Sequence, residues 1–401
     1  MERIGSFPSN NPEVADIFRL HGHTLTGITA EEQHIIQQIT ACRTAALGGH
    51  ALKCDICGYE EISYNSCRNR HCPKCQSLQQ ARWVEARKAE LLPVGYFHMV
   101  FTIPECLNPV ALYNKAVVYN LLFQAVSETL KQVAANPKNL GAQIGFIAVL
   151  HTWDQRLNLH PHIHCIVPGG GFREARSGWI RSPKNYFLPI PILSAVFRGK
   201  LLQALEQAFN AGTLSFSGTC SPLNEAQQFK ELLLSSCRSN WVVYAKPPFA
   251  GPERVLRYLG RYTHRVAIGN RRILSVDQQT VSFRYRDRKH QNQQKTMRLE
   301  VQVFMRRFLL HILPKGFVRI RHYGFLGNPA KGEAICRCRD LLGGSCPEPQ
   351  AEPSPPESWQ EFFKELTGQD ARRCPHCRKG YLIVFKEIAP HKGLSPSTEA
   401  A

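Results

Sequence analysis

Residues 144–171 read IGFIAVLHTWDQRLNLHPHIHCIVPGGG, and the fold class follows from the pattern within them. An apolar, β-branched run at each end flanks the polar loop DQRLNLH, which predicts two neighbouring strands. His160, His162 and His164 alternate along the second run, so a strand projects all three to one face. Ile163 then points to the opposite face, where it is expected to anchor the core.

The segments on either side extend this pattern into a larger domain. YFHMVFTI before it and WVVYAKP after it read as strands, and Pro104 closes the first of them. Much of the chain between and after these strands has helical periodicity, which predicts helices at 109–133, 194–210, 224–237, 253–267 and 301–313. A hairpin is predicted at 272–288. Together these elements predict an α+β fold, an antiparallel sheet with flanking helices.

Changes in composition predict three consecutive segments. Residues 1–92 hold a capping box at Thr29 and Glu32, a cysteine-rich run and a second helix, and are expected to form a small zinc-binding, DNA-binding domain. Residues 93–330 are expected to form the main, catalytic domain. Residues 331–401 include a Pro-rich linker and are expected to be a partly disordered, cysteine-containing tail.

Two cysteine pairs have the most specific spacing in the sequence. Cys54 and Cys57 are separated by two residues, as are Cys72 and Cys75, and fourteen residues lie between the pairs. Each pair fits a tight turn that aims two thiolates at one tetrahedral ion, so the four are predicted to bind a structural Zn²⁺. Further candidate ligands for a second ion or an exchanged ligand lie nearby: Cys42, His50, Cys67 and His71.

The C-terminal segment contains half of a further site. Cys374 and Cys377 repeat the two-residue spacing. The remaining ligands of a second metal module would come from the candidates Cys336, Cys338, Cys346 and His376. A redox dithiol is the alternative interpretation of this pair.

Tyr258 and Tyr262 lie four residues apart in RYLGRYTHR, which has helical periodicity. On a helix this spacing places both hydroxyls on one face, about 6 Å apart along the axis. A tyrosine oxygen attacks phosphorus once its proton is removed and the phosphate charge is neutralised. The neighbouring cations are predicted to bind the DNA backbone: Arg257, Arg261 and Arg265. An isolated pair of this kind is more typical of packed aromatics, but a histidine-bearing strand in the same domain favours the nucleophile.

Three ordered motifs, CDICG…SCRNRHCPKCQ, HTWDQRLNLHPHIHCIVPGGG and RYLGRYTHR, resemble those of the rolling-circle insertion-sequence transposases with two tyrosines, the insertion-sequence ninety-one family. The resemblance covers roughly residues 30–330. It implies an HUH-endonuclease-type antiparallel sheet that carries the histidines, with the tyrosine helix packed near it. It also implies rolling-circle DNA transposition, in which single-stranded DNA is nicked to give a 5′-phosphotyrosine and a free 3′-hydroxyl and is then rejoined.

The resemblance further implies that His162 and His164 hold a catalytic Mg²⁺ or Mn²⁺ while Tyr258 and Tyr262 act in turn. Imidazole donors bind Mn²⁺ more readily than Mg²⁺. Related single-tyrosine enzymes take a third ligand four residues after the tyrosine, where this chain has Tyr262. The third ligand is therefore expected from one of three other side chains: His151, Asp154 or His160.

The charge balance indicates a polyanionic partner. Lys and Arg total 50 against 31 Asp and Glu, and the segment from Arg254 to Arg321 contains 17 basic and 3 acidic residues. The expected partner is DNA, as single-stranded element ends and target. No apolar run reaches the about 18 residues of a membrane span, and the N terminus lacks a signal-peptide layout, so the expected location is the cytoplasm without membrane contact.

Two other functions use the same motifs. A relaxase or replication-initiator nickase would share the histidines and the tyrosine chemistry, but the N-terminal cysteine module and the lack of a GxxxxGK[ST] helicase signature argue against it. A non-catalytic zinc DNA-binding regulator would use the tyrosines only for packing.

Overall fold

The computed structural model describes residues 12–185, 187–238, 241–246, 260, 266–287, 290–327, 331–344 and 358–391. Its helices are α1 (Val14–His21), α2 (Ala30–Ala41), α3 (Gln76–Lys88), α4 (Asn108–Tyr113), α5 (Lys115–Ala135), α6 (Ile190–Asn210), α7 (Ala226–Arg238), α8 (Val301–Leu310), α9 (Lys331–Leu341) and α10 (Trp359–Thr367). Its strands are β1 (Gly49–Cys54), β2 (Glu60–Tyr64), β3 (Tyr96–Thr102), β4 (Gly145–Trp153), β5 (Leu159–Pro168), β6 (Gly170–Phe172), β7 (Trp179–Arg181), β8 (Val242–Lys246), β9 (Ile273–Val276), β10 (Thr280–Asp287), β11 (Gln293–Glu300), β12 (Ile320–Gly324) and β13 (Leu382–Ile388).

The chain divides into two compact units, and neither unit is continuous in sequence. The cysteine-rich unit comprises Met1–Gln79, Ile268–Arg306 and Pro347–Ala401, and the sheet unit comprises Gln80–Ala267 and Arg307–Cys346. The predicted segments, by contrast, were consecutive. The C-terminal segment joins the cysteine-rich unit because β13 pairs with β1 near the N terminus.

A five-stranded antiparallel sheet, in the order β12-β4-β5-β3-β8, organises the sheet unit. The predicted neighbouring strands are β4 and β5, and they lie at the centre of this order. The predicted strand YFHMVFTI is β3, and WVVYAKP is β8. The α+β prediction is therefore confirmed.

One face of this sheet packs into the main apolar core. Ile163 is fully buried there, as predicted, beside Met99 and Phe101 of β3. Helices α5 and α6 contribute Phe123, Phe197 and other apolar side chains to the same cluster. Burying a side chain of this size stabilises the fold by about 1.5–3 kcal/mol, so Ile163 fixes which face of β5 the flanking histidines must occupy.

The helix predicted over 109–133 is divided in two at Asn114. This residue adopts φ −124° and ψ 43°, which are not helical angles. Its side-chain Nδ2 donates to the backbone oxygen of Ser215 at 3.0 Å, and its Oδ1 accepts from the Ser215 N–H at 2.9 Å. The prediction of one continuous helix was wrong at this residue, where the backbone N–H and C=O keep their helical partners but the side chain is held by the distant Ser215 backbone.

The cysteine-rich unit contains two three-stranded sheets, in the orders β13-β1-β2 and β11-β10-β9. The hairpin predicted at 272–288 corresponds to β9 and β10, and the structure adds β11 as a third strand beyond the predicted hairpin. The predicted capping box begins α2: Thr29 Oγ1 accepts from the Glu32 N–H at 3.2 Å, and the Glu32 carboxylate accepts from the Thr29 N–H at 2.8 Å. Within the described ranges, every helix falls short of the length or apolarity that a membrane span requires.

Candidate active site and cysteine clusters

Three histidines gather on the sheet face opposite Ile163. His162 and His164 project from β5, and His151 of β4 pairs directly across from His162. Their ligand nitrogens all lie within 4.8 Å of one another, and all three side chains are buried. The fold thus brings the two predicted histidines together and adds a third imidazole to them.

Hydrogen bonds select the nitrogen that each β5 histidine presents. The Nδ1 of His162 lies 2.5 Å from the backbone oxygen of His160. The Nδ1 of His164 lies 2.7 Å from the Nε2 of His98 on β3, and the two rings stack with 5.0 Å between centroids. A histidine that donates through Nδ1 keeps its Nε2 lone pair for an ion, so both contacts favour the metal-binding tautomer.

His98 was not identified from the sequence. It occurs singly in the apolar strand YFHMVFTI, and a single histidine has no spacing that would indicate a ligand or a partner. Its relation to His164 depends on the β3–β5 register, in which Val100 lies opposite His164 and His98 is displaced by two residues. Two-residue displacement keeps both imidazoles on one face and within reach across the strands.

Among the described residues, His151 is the candidate third ligand that joins this group. The carboxylate of Asp154 instead accepts the backbone N–H groups of Arg156 at 2.7 Å and Asn158 at 2.8 Å, and so shapes the loop between β4 and β5. His160 lies outside the group and contributes its backbone oxygen. Of the three side chains that the sequence left open, His151 is therefore the one that lies with His162 and His164 in the described part of the chain.

A buried polar contact supports the part of β4 that carries His151. Thr152 Oγ1 lies 3.2 Å from Nδ1 of His311, and Nε2 of His311 lies 3.2 Å from the backbone oxygen of Leu157. Burial lowers the pKa of His311 to about 4, so this imidazole is uncharged at neutral pH. A neutral ring can donate through one nitrogen and accept through the other, which suits a bridge between a hydroxyl and a carbonyl.

The three imidazoles form a neutral donor set that fits a catalytic divalent ion. Three protein ligands leave coordination positions open for a substrate oxygen or water. Since no carboxylate of the described residues belongs to the group, these three ligands would leave the positive charge of an ion uncancelled. Imidazole nitrogen suits Mn²⁺ or Zn²⁺ better than Mg²⁺. The arrangement can therefore hold an ion that polarises an anionic substrate.

The predicted residues of the tyrosine motif lie outside the described part of the chain: Tyr258, Tyr262, Arg257, Arg261 and Arg265. Gly260, midway between the two tyrosines, is described as helical and buried. A Cβ atom at this position would overlap Cγ2 of Val84 on α3. Glycine therefore permits a close approach to α3 that no other residue could make without displacement.

We expect Gly260→Ala to reduce any activity that depends on the flanking tyrosines. The added methyl must displace either Val84 or the segment itself, and overpacking of this kind costs about 1–3 kcal/mol. The double variant Gly260→Ala/Val84→Ala lacks both γ methyl groups of Val84 and so has room for the added methyl group at residue 260. It should recover thermal stability and activity together. A single Gly260→Ala variant with unchanged melting temperature and unchanged activity would contradict the close packing.

The first cysteine cluster consists of Cys42, Cys67, Cys72 and Cys75. Cys75 Sγ lies 3.5 Å from Cys42 Sγ and 3.6 Å from Cys67 Sγ. A tetrahedral zinc ion with bonds of about 2.3 Å separates its sulfur ligands by about 3.8 Å, so this spacing fits Zn²⁺. Hydrogen bonds from Cys42, Cys67 and Cys72 hold the pKa of Cys75 well below its usual range, while contacts within the cluster and burial raise the pKa values of Cys67 and Cys72.

The second cysteine cluster consists of Cys54, Cys57, Cys374 and Cys377. The structure thus corrects the predicted grouping, in which Cys54 and Cys57 were to share an ion with Cys72 and Cys75. Each predicted pair belongs to a four-cysteine cluster, but the two pairs belong to different clusters. The reason is the pairing of β1 with β13, which places Cys54 opposite Leu382.

The expected partners of the C-terminal pair are also corrected. Cys338 is buried on α9 in an apolar cluster with Leu92 and Ile335, and burial raises its pKa to about 12. Such a thiol behaves as a small apolar side chain. The described cysteines beside Cys374 and Cys377 are Cys54, at the end of β1, and Cys57, in the turn after it. Cys338 of α9 does not belong to this cluster.

Comparisons with known proteins give two family matches. The family described as "Putative transposase" matches residues 145–333, which include the three histidines and both predicted tyrosines. The family described as "Transposase zinc-binding domain" matches residues 15–103, which include the first cysteine cluster.

Two relatives match over most of their length. "Putative transposase y4qJ" from Sinorhizobium fredii (strain NBRC 101917 / NGR234) is 50% identical over 381 residues, which cover 94% of this chain and 96% of the relative. "Transposase for insertion sequence element IS801" from Pseudomonas savastanoi pv. phaseolicola is 26% identical over 368 residues, which cover 88% of this chain and 83% of the relative. Among solved structures, the metal-bound conjugative relaxase TrwC in complex with oriT DNA aligns with a TM-score of 0.24 at 14% identity, over 42% of this chain and 70% of that chain.

Proposed function

The chain belongs to the insertion-sequence transposases that carry a transposase zinc-binding domain, and from this premise we propose that it cuts and rejoins single-stranded DNA with tyrosine nucleophiles and one divalent ion. Its substrates would be the single-stranded ends of the element and the target DNA. The strongly basic composition, with a net charge of +19, is suited to such a polyanion.

The observation that carries this proposal is the group formed by His151, His162 and His164. These three imidazoles would add no negative charge to a bound ion, and they lie on two adjacent inner strands of the five-stranded sheet. Both features suit the binding of a backbone phosphate. A regulator that only bound DNA would have no use for three buried, converging imidazoles.

In the proposed reaction, the phenol oxygen of Tyr258 or Tyr262 attacks the scissile phosphorus. A Tyr–O–P bond forms while the bond from phosphorus to the 3′ oxygen breaks. The phenolic proton passes through solvent to the leaving 3′ oxygen, giving a 3′-hydroxyl and a 5′-phosphotyrosine. The bound ion would supply Lewis-acid polarisation of the phosphate. Rejoining is the reverse, in which a 3′-hydroxyl attacks the phosphotyrosine, so that no nucleotide cofactor is consumed.

We further propose that the first cysteine cluster binds the structural Zn²⁺ of the matched zinc-binding domain. Cys72 and Cys75 of the predicted set would share this ion with Cys42 and Cys67, which were candidates for a second ion. Four thiolates leave no open position for a substrate, so this ion would stabilise the fold and take no part in cleavage.

The proposal is tested with single-stranded oligonucleotides from the element ends, labelled at the 3′ terminus and incubated with the full chain and Mn²⁺. Since the protein becomes attached to the 5′ phosphate of the 3′ fragment, the label should migrate with the protein on a denaturing gel. The same oligonucleotide labelled at its 5′ terminus should give a shortened, protein-free product. Labels that remain on intact oligonucleotide at every Mn²⁺ concentration would refute the nickase assignment.

We expect His98→Ala to weaken ion binding at this centre. His98 does not belong to the ligand group, but it orients the ligand His164 through the 2.7 Å contact. Losing a hydrogen-bond partner of a metal ligand typically weakens metal affinity about 10–100-fold. Mn²⁺ affinity can be measured directly by calorimetry, and covalent DNA attachment should recover at high Mn²⁺.

His98→Gln is the matched control, because a glutamine oxygen can still accept from the Nδ1–H of His164. This variant should retain Mn²⁺ affinity close to that of the unmodified chain. Equal losses in both variants, or no loss in His98→Ala, would contradict an orienting role.

A further inference from the structure

The turns that hold the second cysteine cluster come from opposite ends of the chain. Cys54 Sγ lies 3.7 Å from Cys377 Sγ, and Cys57 Sγ lies 3.7 Å from Cys374 Sγ. These distances are far longer than the about 2.05 Å of a disulfide. They match the about 3.8 Å between sulfur ligands around a tetrahedral zinc ion. We infer that this cluster binds a second structural Zn²⁺, with ligands shared equally between the N-terminal and C-terminal segments.

The backbone around these cysteines is arranged for thiolates. The Cys57 N–H points to Cys54 Sγ at 3.5 Å, and the Gly380 N–H points to Cys377 Sγ at 3.4 Å. Backbone N–H groups directed at sulfur stabilise its charged form. The same device therefore occurs once in each half of the site.

The two turns also interlock. Asp55 Oδ1 accepts the Tyr381 N–H at 2.7 Å, and the Asp55 N–H donates to the Tyr381 oxygen at 3.1 Å. A Cβ atom at Gly380 would come within 2.6 Å of Cys54 Sγ, so a glycine is required where the C-terminal turn passes the N-terminal thiolate. This fit is specific to the two turns and extends beyond the cysteines themselves.

Burial of apolar side chains contributes little to holding the C-terminal strand β13 against β1. In β13, Ile383, Val384 and Phe385 are each more than half exposed. Strand pairing alone is marginal in water, because each hydrogen bond to a partner replaces one to solvent. The ion supplies the missing attraction, and it joins residues on either side of the segment 58–373. The family match to the zinc-binding domain ends at residue 103 and so does not include half of this site.

The assignment makes the zinc content of the full chain a direct test. Because the three imidazoles could also hold zinc, the protein is first dialysed against excess Mn²⁺ to exchange that centre. The unmodified protein should then contain two zinc ions per chain by elemental analysis. Cys374→Ser/Cys377→Ser and Cys54→Ser/Cys57→Ser should each contain one. The variant with all four substitutions should also contain one, because both pairs hold the same ion. Cys220→Ser/Cys237→Ser, which alters cysteines outside both clusters, should retain two.

Alkylation gives a second test, which does not depend on the stability of the four-fold variant. Zinc-bound thiolates resist N-ethylmaleimide, so Cys54 and Cys57 should be protected in the unmodified chain. In Cys374→Ser/Cys377→Ser they should become modified, while the first cysteine cluster stays protected. The inference is overturned if this variant retains two zinc ions, if Cys54 and Cys57 remain protected in it, or if the unmodified chain holds iron or no metal at this cluster. Each result is independent of DNA cleavage.

Discussion

Replacing Tyr258 and Tyr262 together by phenylalanine should abolish covalent attachment to DNA, with a loss of at least about 10³-fold. The substitution removes only the two phenol oxygens, which are the proposed nucleophiles, and retains both rings. Single-stranded DNA binding should persist in a mobility-shift assay, since the basic side chains are unchanged. A non-catalytic regulator would be unaffected by this double substitution.

The single variants Tyr258→Phe and Tyr262→Phe distinguish the roles of the two residues. If the tyrosines act in turn, each single variant should still form an adduct, and peptide mapping should place the DNA on the remaining tyrosine. Strand joining should fail in both, because one nucleophile cannot hold one end while the other is processed. Adduct formation by the double variant at the unmodified level would place the nucleophile among the other tyrosines of the chain.

Replacing His162 and His164 together by glutamine should abolish Mn²⁺ binding and reduce DNA cleavage by at least about 10²-fold. Glutamine preserves much of the side-chain volume on the sheet face but has no basic nitrogen. With two of three ligands lost, His151 alone cannot hold the ion. Calorimetric titration with Mn²⁺ measures binding independently of cleavage.

His23→Gln is the matched control for that experiment. His23 is exposed in the cysteine-rich unit and belongs to none of the candidate metal groups. This variant should retain both Mn²⁺ affinity and cleavage. The proposed centre would be refuted if the double glutamine variant kept its melting temperature and still bound Mn²⁺ with unchanged affinity.

Local patterns determined the elements of the sheet and the face that carries the histidines. The alternation around Ile163 predicts β5, because burying one side of a strand forces the intervening residues to the other. Residues 162 and 164 follow from that pattern alone. The third imidazole, His151, and the orienting imidazole, His98, lie on neighbouring strands. Their inclusion depends on strand register, which no local spacing encodes.

The division of the predicted helix at Asn114 has a similar cause. Helical periodicity continues through this position in the sequence. The break arises because the backbone of Ser215, about a hundred residues later, offers a donor and an acceptor to the Asn114 amide. Tertiary hydrogen bonds of this kind override a local preference that is worth less than about 1 kcal/mol per residue.

The cysteines separate the two kinds of information most clearly. The two-residue spacing of each pair is a property of the sequence, because one tight turn suffices to aim two thiolates at an ion. That spacing determined that Cys54, Cys57, Cys72 and Cys75 suit metal binding, but half a tetrahedral site accepts any second pair equally well. Only the fold decided the partners: β13 pairs with β1 and delivers Cys374 and Cys377 to the first turn. An ion does not distinguish between chemically identical thiolates, so the local spacing cannot determine which two pairs share an ion. The pairing between β1 and β13, which are more than 300 residues apart in sequence, determines it.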